Sequence, residues 1–220
     1  MGNRAIIKPV DKNIGVYLHW NGGRDSVEPF LKYCEMRGFR DFGGKNADGY
    51  GIARFMQVVG NFFGGSLSIG LETGVKMTDE QAEWLDNGIY EIDGWKIVGR
   101  CPADIEEQQE YDMTDMISSI DSAQPKNERL GRGFIGGVST PVKDLNVGDY
   151  IWIYDENTYG DRPKCRRHRI AGIEKKDGWN KGRFYYLEKS IFDKKPYRRH
   201  LTEAEYRLDR SSRKEKIANG

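Results

Sequence analysis

The first twenty residues alternate between apolar and polar positions in the way that β-strands do. Arg4–Val10 and Ile14–Trp20 are rich in β-branched and aromatic residues, and a turn-like Asp-Lys-Asn sequence separates them. This pattern predicts a β-hairpin. Alternation divides the second strand into two faces, formed by Val16, Leu18 and Trp20 and by Tyr17 and His19.

Two helices are predicted after this hairpin. The first begins after Gly22-Gly23, where Asp25 and Glu28 have the spacing of a capping box with Asp25 as the N-cap. The second covers about Asp48 to Phe63. Its apolar residues recur at helical spacing, and they are Ile52, Phe55, Met56, Val59, Phe62 and Phe63.

Shorter elements complete an N-terminal domain that we place at residues 1–127. They are strands at Ser66–Thr73, Gly88–Ile92 and Trp95–Arg100, and a helical turn at Thr78–Trp84. The Asp93-Gly94 pair between the last two strands is a strong hairpin signal. Together these elements predict an α+β domain, in which an antiparallel sheet is covered by two helices.

An acidic segment, residues 101–128, closes this domain with eight Asp and Glu residues against one Lys. Apolar residues recur in it at helical spacing, at Met113, Met116, Ile117 and Ile120. We expect an amphipathic helix that packs on the first domain. A methionine-rich docking groove is the alternative.

The remainder of the chain changes character. Residues 128–140 are rich in glycine and predict a linker. Residues 141–220 contain short strands separated by turn residues, at Tyr150–Tyr154, Arg166–Lys176 and Gly182–Ser190. This pattern predicts a small, mostly-β, barrel-like domain. Thr202 and Glu205 have capping-box spacing, so a polar terminal helix is expected to end the chain.

The net charge of +1 conceals an asymmetry between the two parts of the chain. Residues 1–137 contain 15 Lys and Arg against 21 Asp and Glu, whereas residues 138–220 contain 20 against 13. Such a division indicates two surfaces with different partners. Two solvated faces that attract each other would give the same composition.

Several classes of protein are disfavoured by the sequence. The three cysteines, Cys34, Cys101 and Cys165, are far apart and form no Cys/His cluster, so we expect no structural metal, no cofactor and no disulfide framework. The N-terminus lacks the apolar core of a signal peptide, and no apolar run reaches the ~20 residues of a membrane span. The sequence therefore predicts a cytoplasmic protein that does not enter a membrane.

Catalytic motifs are not found in the sequence. The three histidines lie at positions 19, 168 and 200, and no H-E-x-x-H, G-x-S-x-G, Walker or GxGxxG pattern is present. Cys34 and His19 would suit a nucleophile and its base, but Cys34 falls on the apolar stripe of its helix, which favours a buried thiol. We expect a binding protein rather than an enzyme and assign no catalytic residue.

The strand-to-helix corner after residue 18 is a candidate anion site. Free amides and the positive end of the helix dipole follow the two glycines there, and Trp20 offers a stacking surface. The candidate residues are His19, Trp20, Asn21, Gly22, Gly23, Arg24 and Asn61. A tight structural turn with Trp20 in the core is the competing interpretation.

A second candidate is a cationic, aromatic-rich surface in the C-terminal domain. Residues 162–200 contain 14 Lys and Arg against four Asp and Glu, with aromatic residues between them. Basic side chains bind phosphates, and exposed rings stack on bases. The candidate residues are Arg162, Lys164, Arg166, Arg167, Arg169, Lys175, Lys176, Trp179, Arg183, Tyr185, Arg198 and Arg199. A solvated basic face, or one that docks on the acidic segment, is the alternative.

Three blocks of the first domain, GVYLHWNGGRDSVEPFLKYC, YGIARFMQVVGNFFGG and DNGIYEIDGWKIVGR, resemble a group of uncharacterised accessory proteins of phages and integrative conjugative elements of Firmicutes. The resemblance covers about the first 100–125 residues and does not include the basic domain. It implies an accessory gene of a mobile element and transfers no binding or catalytic residue.

This context favours one hypothesis and leaves another open. In the first, the chain is a non-catalytic protein that acts on nucleic acid, or inhibits a nuclease-type host defence complex in the manner of an anti-CRISPR protein, through the basic surface. In the second, the glycine-rich corner binds or acts on a phosphorylated nucleotide. The oligomeric state is not predicted by any feature of the sequence.

Overall fold

The structure, a computed structural model, describes residues 2–45, 47–65, 67–105, 111–155, 164–176, 182–188, 197–201 and 206–210. The side chains of residues 176, 182–184, 197 and 198 are outside this description. The chain divides into two units, Met1–Pro125 and Lys126–Gly220. The α+β fold class is confirmed, because the first unit combines a sheet with helices and the second contains a sheet of its own.

A five-stranded sheet with the order β3-β2-β1-β4-β5 forms the centre of the first unit. Its strands are β1 (Ala5–Pro9), β2 (Ile14–Leu18), β3 (Ile69–Thr73), β4 (Ile89–Asp93) and β5 (Lys96–Cys101). Both predicted hairpins are present as antiparallel pairs. The sheet is mainly antiparallel, as predicted, and β1 and β4 form its one parallel pair. Parallel neighbours need a long crossover, and here the chain between β2 and β4 supplies it.

The first two helices pack on one face of this sheet. They are α1 (Arg24–Met36) and α2 (Gly49–Phe63). The side chain of Asp48 caps α2 by accepting a hydrogen bond from the Tyr50 amide, and Gly64 ends the helix with a φ of 72°. Only glycine adopts that conformation without strain, so this helix is close to its prediction.

The start of α1 differs from its prediction. The N-cap is Gly23, which has no side chain, and Asp25 lies inside the first turn. Asp25 therefore complements the positive helix end by charge and is not the N-cap of a capping box. Trp20 follows the end of β2 and is exposed, whereas alternation placed it with the buried Val16 and Leu18.

A third long helix, α4 (Met113–Ala123), packs against α1 and α2. Its apolar residues Ile117 and Ile120 are buried. The Tyr33 hydroxyl donates a hydrogen bond to Asp121 Oδ1 at 2.9 Å between buried residues. The Gln124 side chain donates to the carbonyl oxygen of Val58. The amphipathic helix predicted in the acidic segment, packed on the first domain, is therefore confirmed, and it adds a third helix to this layer.

The other face of the sheet carries a smaller apolar cluster under the short helix α3 (Asp79–Ala82). The cluster contains Ile6, Val75, Ala82, Leu85, Ile89 and Cys101. β1 is buried along all five residues because both of its faces are covered. Even Lys8 is buried, and its Nζ pairs with Glu91 Oε1 at 3.2 Å.

The second unit contains a five-stranded sheet with the order β10-β6-β7-β8-β9. Its strands are β6 (Tyr150–Tyr154), β7 (Cys165–Lys176), β8 (Gly182–Leu187), β9 (Tyr197–Arg199) and β10 (Tyr206–Leu208). All neighbours are antiparallel. In the described residues β9 and β10 are the edges, so the strands make an open sheet and the barrel-like closure is not seen.

Two predicted segments of this unit differ from the structure. The predicted linker contains the helical turn α5 (Arg132–Ile135), and Phe134 within it is fully buried. The predicted terminal helix is wrong at Tyr206–Leu208, which form β10 because Tyr206 and Leu208 enter the core beside β6. Thr202 and Glu205 lie outside the described residues.

The described helices include no candidate for a membrane span. Within the described part of the chain, none of them combines the length and the hydrophobicity that a bilayer-spanning helix needs.

Replacement of Asp121 by alanine is expected to lower the free energy of unfolding by about 1–3 kcal/mol, because the buried Tyr33 hydroxyl loses its acceptor. Urea denaturation followed by circular dichroism measures the loss. Ser119→Ala, on the exposed side of the same helix, is the control and should change stability little. Equal stability of the two variants would contradict a structural role for this hydrogen bond.

Acid is expected to destabilise the second unit through His168. Burial lowers the pKa of this histidine below its ordinary 6.5, and the charges of Arg166 and Arg199 lower it further against the opposing hydrogen bond to the Glu188 carbonyl. The unfolded chain then binds the proton more tightly, so stability is full above about pH 6.5 and falls as the pH drops below it. Urea denaturation at several pH values should show this slope, and His168→Gln should reduce it. His200→Gln, at an exposed position, should leave the slope unchanged.

Candidate nucleic-acid interface

The arginines of β7 are divided between two faces by the pairing of β7 with β6. Ile151 is opposite His168, and Trp152 is opposite Arg167. Cross-strand partners point to the same side of a sheet, and Ile151 is in the core. His168 therefore lies on the core face with Arg166, two residues away, whereas Arg167 and Arg169 lie on the outer face.

Arg167 is held on the outer face by a ring and a carboxylate. Its guanidinium lies 4.0 Å from the centre of the Tyr150 ring, and its Nε donates to Asp209 Oδ2 at 2.7 Å. The same oxygen accepts a hydrogen bond from Trp152 Nε1 at 3.1 Å. The Arg167 side chain is nevertheless 40% exposed, so part of it is in contact with solvent.

Arg169 forms a more open ion pair. Its Nη1 donates to Glu188 Oε1 at 2.8 Å, and the two side chains are 45% and 44% exposed. An ion pair in contact with water contributes only about 0–1 kcal/mol. Glu188 therefore holds Arg169 weakly, and a phosphate oxygen would replace its carboxylate at small cost. We call Tyr150, Arg167 and Arg169 the outer arginine face.

Two further cations of the predicted set are tied into the unit. Lys164 pairs with Glu128 at 2.8 Å, and Arg199 pairs with Asp155 at 3.2 Å, and in both pairs each side chain is mostly buried. These ion pairs connect the residue before β7, and strand β9, to neighbouring segments of the same unit. Lys164 and Arg199 therefore stabilise the unit, and their charges are less accessible to a ligand than those of Arg167 and Arg169.

The other predicted residues are scattered. Tyr185 is fully buried in the core, and its hydroxyl donates to the carbonyl oxygen of Val142, so it is no part of a surface. Lys175 is exposed near the end of β7. Lys176, Arg183 and Arg198 lie in strands, but their side chains are outside the described residues, as are Arg162 and Trp179 entirely.

Part of the outer face is covered by the chain itself. A Cβ on Gly133 of α5 would lie 2.2 Å from the Trp152 ring, so α5 packs directly on this tryptophan. Arg207 lies 5.0 Å from the centre of the Phe134 ring. The open surface is consequently narrower than the sequence predicted. Its cations also lie beside carboxylates, and the charge count over residues 162–200 could not show these pairings.

The strand-to-helix corner of the first unit is tightly built. The Gly22 amide donates to the carbonyl oxygen of Asn3 at 2.8 Å, and a Cβ on Gly22 would lie 2.5 Å from that oxygen. Asn21 has a φ of 55°, and its side-chain amide donates to Ser26 Oγ. Gly22 is therefore required by its close packing against the segment that leads into β1.

The remaining corner residues do not converge on one point. Arg24 pairs with Glu28 at 3.0 Å and lines an open groove of about 550 Å³ beside β5. Asn61 donates to Gln124 Oε1 at 2.9 Å in the contact between α2 and α4. The structure does bring His19 and Trp20 together, with ring centres 4.9 Å apart.

Cys34 and the possible metal ligands among the described residues are the candidates for a nucleophile and a metal site. Cys34 is fully buried, and burial raises the pKa of its thiol, so the reactive thiolate is disfavoured. Over the same residues, no group of three or more His, Cys, Asp or Glu side chains is placed to hold a metal ion.

Sequence reasoning missed two features of the outer arginine face. Tyr150 carries Arg167 on its ring, and Asp209 fixes the guanidinium. The alternation of Tyr150-Ile151-Trp152-Ile153 was a usable signal, since it places the two aromatic residues on the face opposite the isoleucines. Asp209 had no such signal, because it comes near β7 only through the pairing of β10 with β6.

Comparison with known proteins adds no relative to this picture. No family model, no curated protein and no solved structure matches the chain.

Proposed function

We propose that this chain is a non-catalytic binding protein of a mobile genetic element, which acts in the cytoplasm on nucleic acid or on a nucleic-acid-handling complex of host defence. The outer arginine face is the contact surface. The observation that carries this proposal is the pair of half-exposed arginines, Arg167 and Arg169, on one strand face, with the Tyr150 ring under the first of them.

Phosphate is the ligand chemistry that suits this arrangement. An arginine that stacks on a ring presents its N–H groups sideways in a fixed plane, and that fork matches the oxygens of a phosphate. Alternate residues along a strand point to the same face and are about 6.6 Å apart. Strand β7 therefore presents two cations in line to a polyanion.

The carboxylates beside the arginines set the order in which they act. Glu188 is as exposed as Arg169, whereas Asp209 is mostly buried and also accepts from Trp152. Exchange of Glu188 for a phosphate is therefore cheaper than exchange of Asp209. Arg169 is the first phosphate ligand in this proposal, and Arg167 binds with its exposed N–H groups while Asp209 stays in place.

The double charge reversal Arg167→Glu/Arg169→Glu is expected to weaken binding of a fluorescent single-stranded oligonucleotide at least about tenfold at low salt. Each lost phosphate contact should also reduce the slope of log K against log salt by about 0.7. Fluorescence anisotropy over a range of salt concentrations measures both quantities.

Lys126→Glu/Lys143→Glu makes the same change of charge at two exposed positions of the same unit. Binding that falls equally in this control would show an effect of net charge and would contradict the proposed face. Arg169→Gln alone should reduce binding more than Arg167→Gln. The reverse order would contradict the assigned roles of Glu188 and Asp209.

Affinity purification from a bacterial lysate, with and without nuclease treatment, separates the two kinds of target. A protein complex that remains bound after nuclease treatment, and is lost with Arg167→Glu/Arg169→Glu, would make a protein surface the target. Nucleic acid that is lost on nuclease treatment would make nucleic acid itself the target.

A further inference from the structure

The first unit exposes two tryptophans that its own core does not use. Trp20 and Trp84 are 44% and 46% exposed. Contiguous exposed apolar patches mark interaction sites, and tryptophan is enriched among the residues that contribute most to binding. Both belong to a continuous row of rings, Tyr17, His19, Trp20 and Trp84, which we call the aromatic row.

The aromatic row is held in place by the sheet. Consecutive ring centres are 5.5 Å apart from Trp84 to Tyr17, 6.2 Å from Tyr17 to His19 and 4.9 Å from His19 to Trp20. The Tyr17 hydroxyl and His19 Nδ1 are hydrogen-bonded at 2.8 Å. Tyr17 is opposite Gly70 in the neighbouring strand, so no β3 side chain covers its ring from that position.

The exposed charges of the segment that supplies Trp84 to the aromatic row are mostly negative. The segment from residue 72 to residue 86 exposes five acids and one lysine, namely Glu72, Asp79, Glu80, Glu83, Asp86 and Lys76. Burial raises the pKa of Tyr17, and the charges of Asp86 and Glu72 raise it further while Arg4 lowers it. The row therefore lies in a field that repels phosphate and attracts cations.

The chain itself shows how this surface accommodates a guanidinium. Arg4 lies 6.0 Å from the centre of the Trp84 ring, and its Nε and Nη2 donate to the two oxygens of Asp86 at 2.9 and 3.4 Å. A ring and a carboxylate together bind the cation by cation–π attraction and ion pairing. Trp84 remains almost half exposed beside this pair.

We propose that the aromatic row docks a basic segment of a partner protein, whose arginine side chains lie against Trp20 and Trp84 and pair with Glu72 and Glu83. Negative surroundings disfavour a nucleic acid at this place, and a neutral glycan would leave the acids without a counterpart. This partner differs in charge from the target of the outer arginine face and contacts the other unit of the chain.

Titration of the full chain with a short fluorescent peptide of alternating arginine and serine tests the docking. Trp20→Ala/Trp84→Ala is expected to weaken binding about tenfold, because two cation–π contacts are lost. Glu72→Gln/Glu83→Gln should weaken it and also reduce its dependence on salt. Anisotropy measures the affinities, and circular dichroism confirms that these exposed substitutions leave the fold intact.

Matched variants remove the same groups elsewhere in the first unit. Tyr50→Ala removes an aromatic ring that is 65% exposed at the start of α2, and Glu35→Gln removes an exposed acid of α1. The proposal would be overturned if these controls reduced peptide affinity as much as the row variants do. It would also be overturned if the parent chain bound no peptide.

Two further probes separate this inference from the proposed function. The proposal of a basic partner would be overturned if Trp20→Ala/Trp84→Ala left peptide binding unchanged but abolished binding of a single-stranded oligonucleotide or a neutral oligosaccharide. We expect Arg167→Glu/Arg169→Glu to abolish oligonucleotide binding and the row variants to leave it intact. A parent chain that binds no oligonucleotide would count against the proposed function alone.

Discussion

The parallel pairing of β1 with β4 is the constraint on which the first unit depends. β1 begins five residues from the N-terminus, and β4 begins at Ile89, yet Ile6 and Ile89 are adjacent in the sheet. β1 is also paired with β2 on its other side and is buried along its whole length. Burial on both faces is typical of parallel neighbours. One face then receives α1, α2 and α4, and the other is left for α3 and the aromatic row.

In the second unit, the alternation of side chains along β7 determines which residues are buried and which are exposed. One side of β7 supplies Ile170 and His168 to the core, and the other supplies Arg167 and Arg169 to the surface. A composition that reads as one basic stretch is thereby divided into buried and exposed cations. The chain also provides carboxylates for the described ion pairs, which limits the positive field without removing it. In the proposed function, affinity for a polyanion would depend on how easily each carboxylate is exchanged.

The two units present aromatic rings in opposite electrostatic settings. In the second, Tyr150 lies beneath the guanidinium of the partly exposed Arg167. In the first, Trp84 lies in a segment rich in exposed acids, and Trp20 is joined to it through the rings of Tyr17 and His19. Rings supply contact area and stacking in both cases, but the sign of the surrounding charge selects the ligand. Under the two proposals together, the target would contain a polyanion and a basic protein.

The sequence by itself determined the local elements whose signals are local. The two hairpins, the capped start of α2 at Asp48 and the exchange of acidic for basic character between the units all follow from neighbouring residues. Only the tertiary structure decided the parallel β1–β4 pair and the strand at Tyr206–Leu208, because each depends on a partner far away in sequence. The same reason applies to the candidate sites. Tyr185 and Arg166 counted as surface residues by composition, but register turns both toward the core, whereas the meeting of Trp84 with Tyr17 has no signature within either segment.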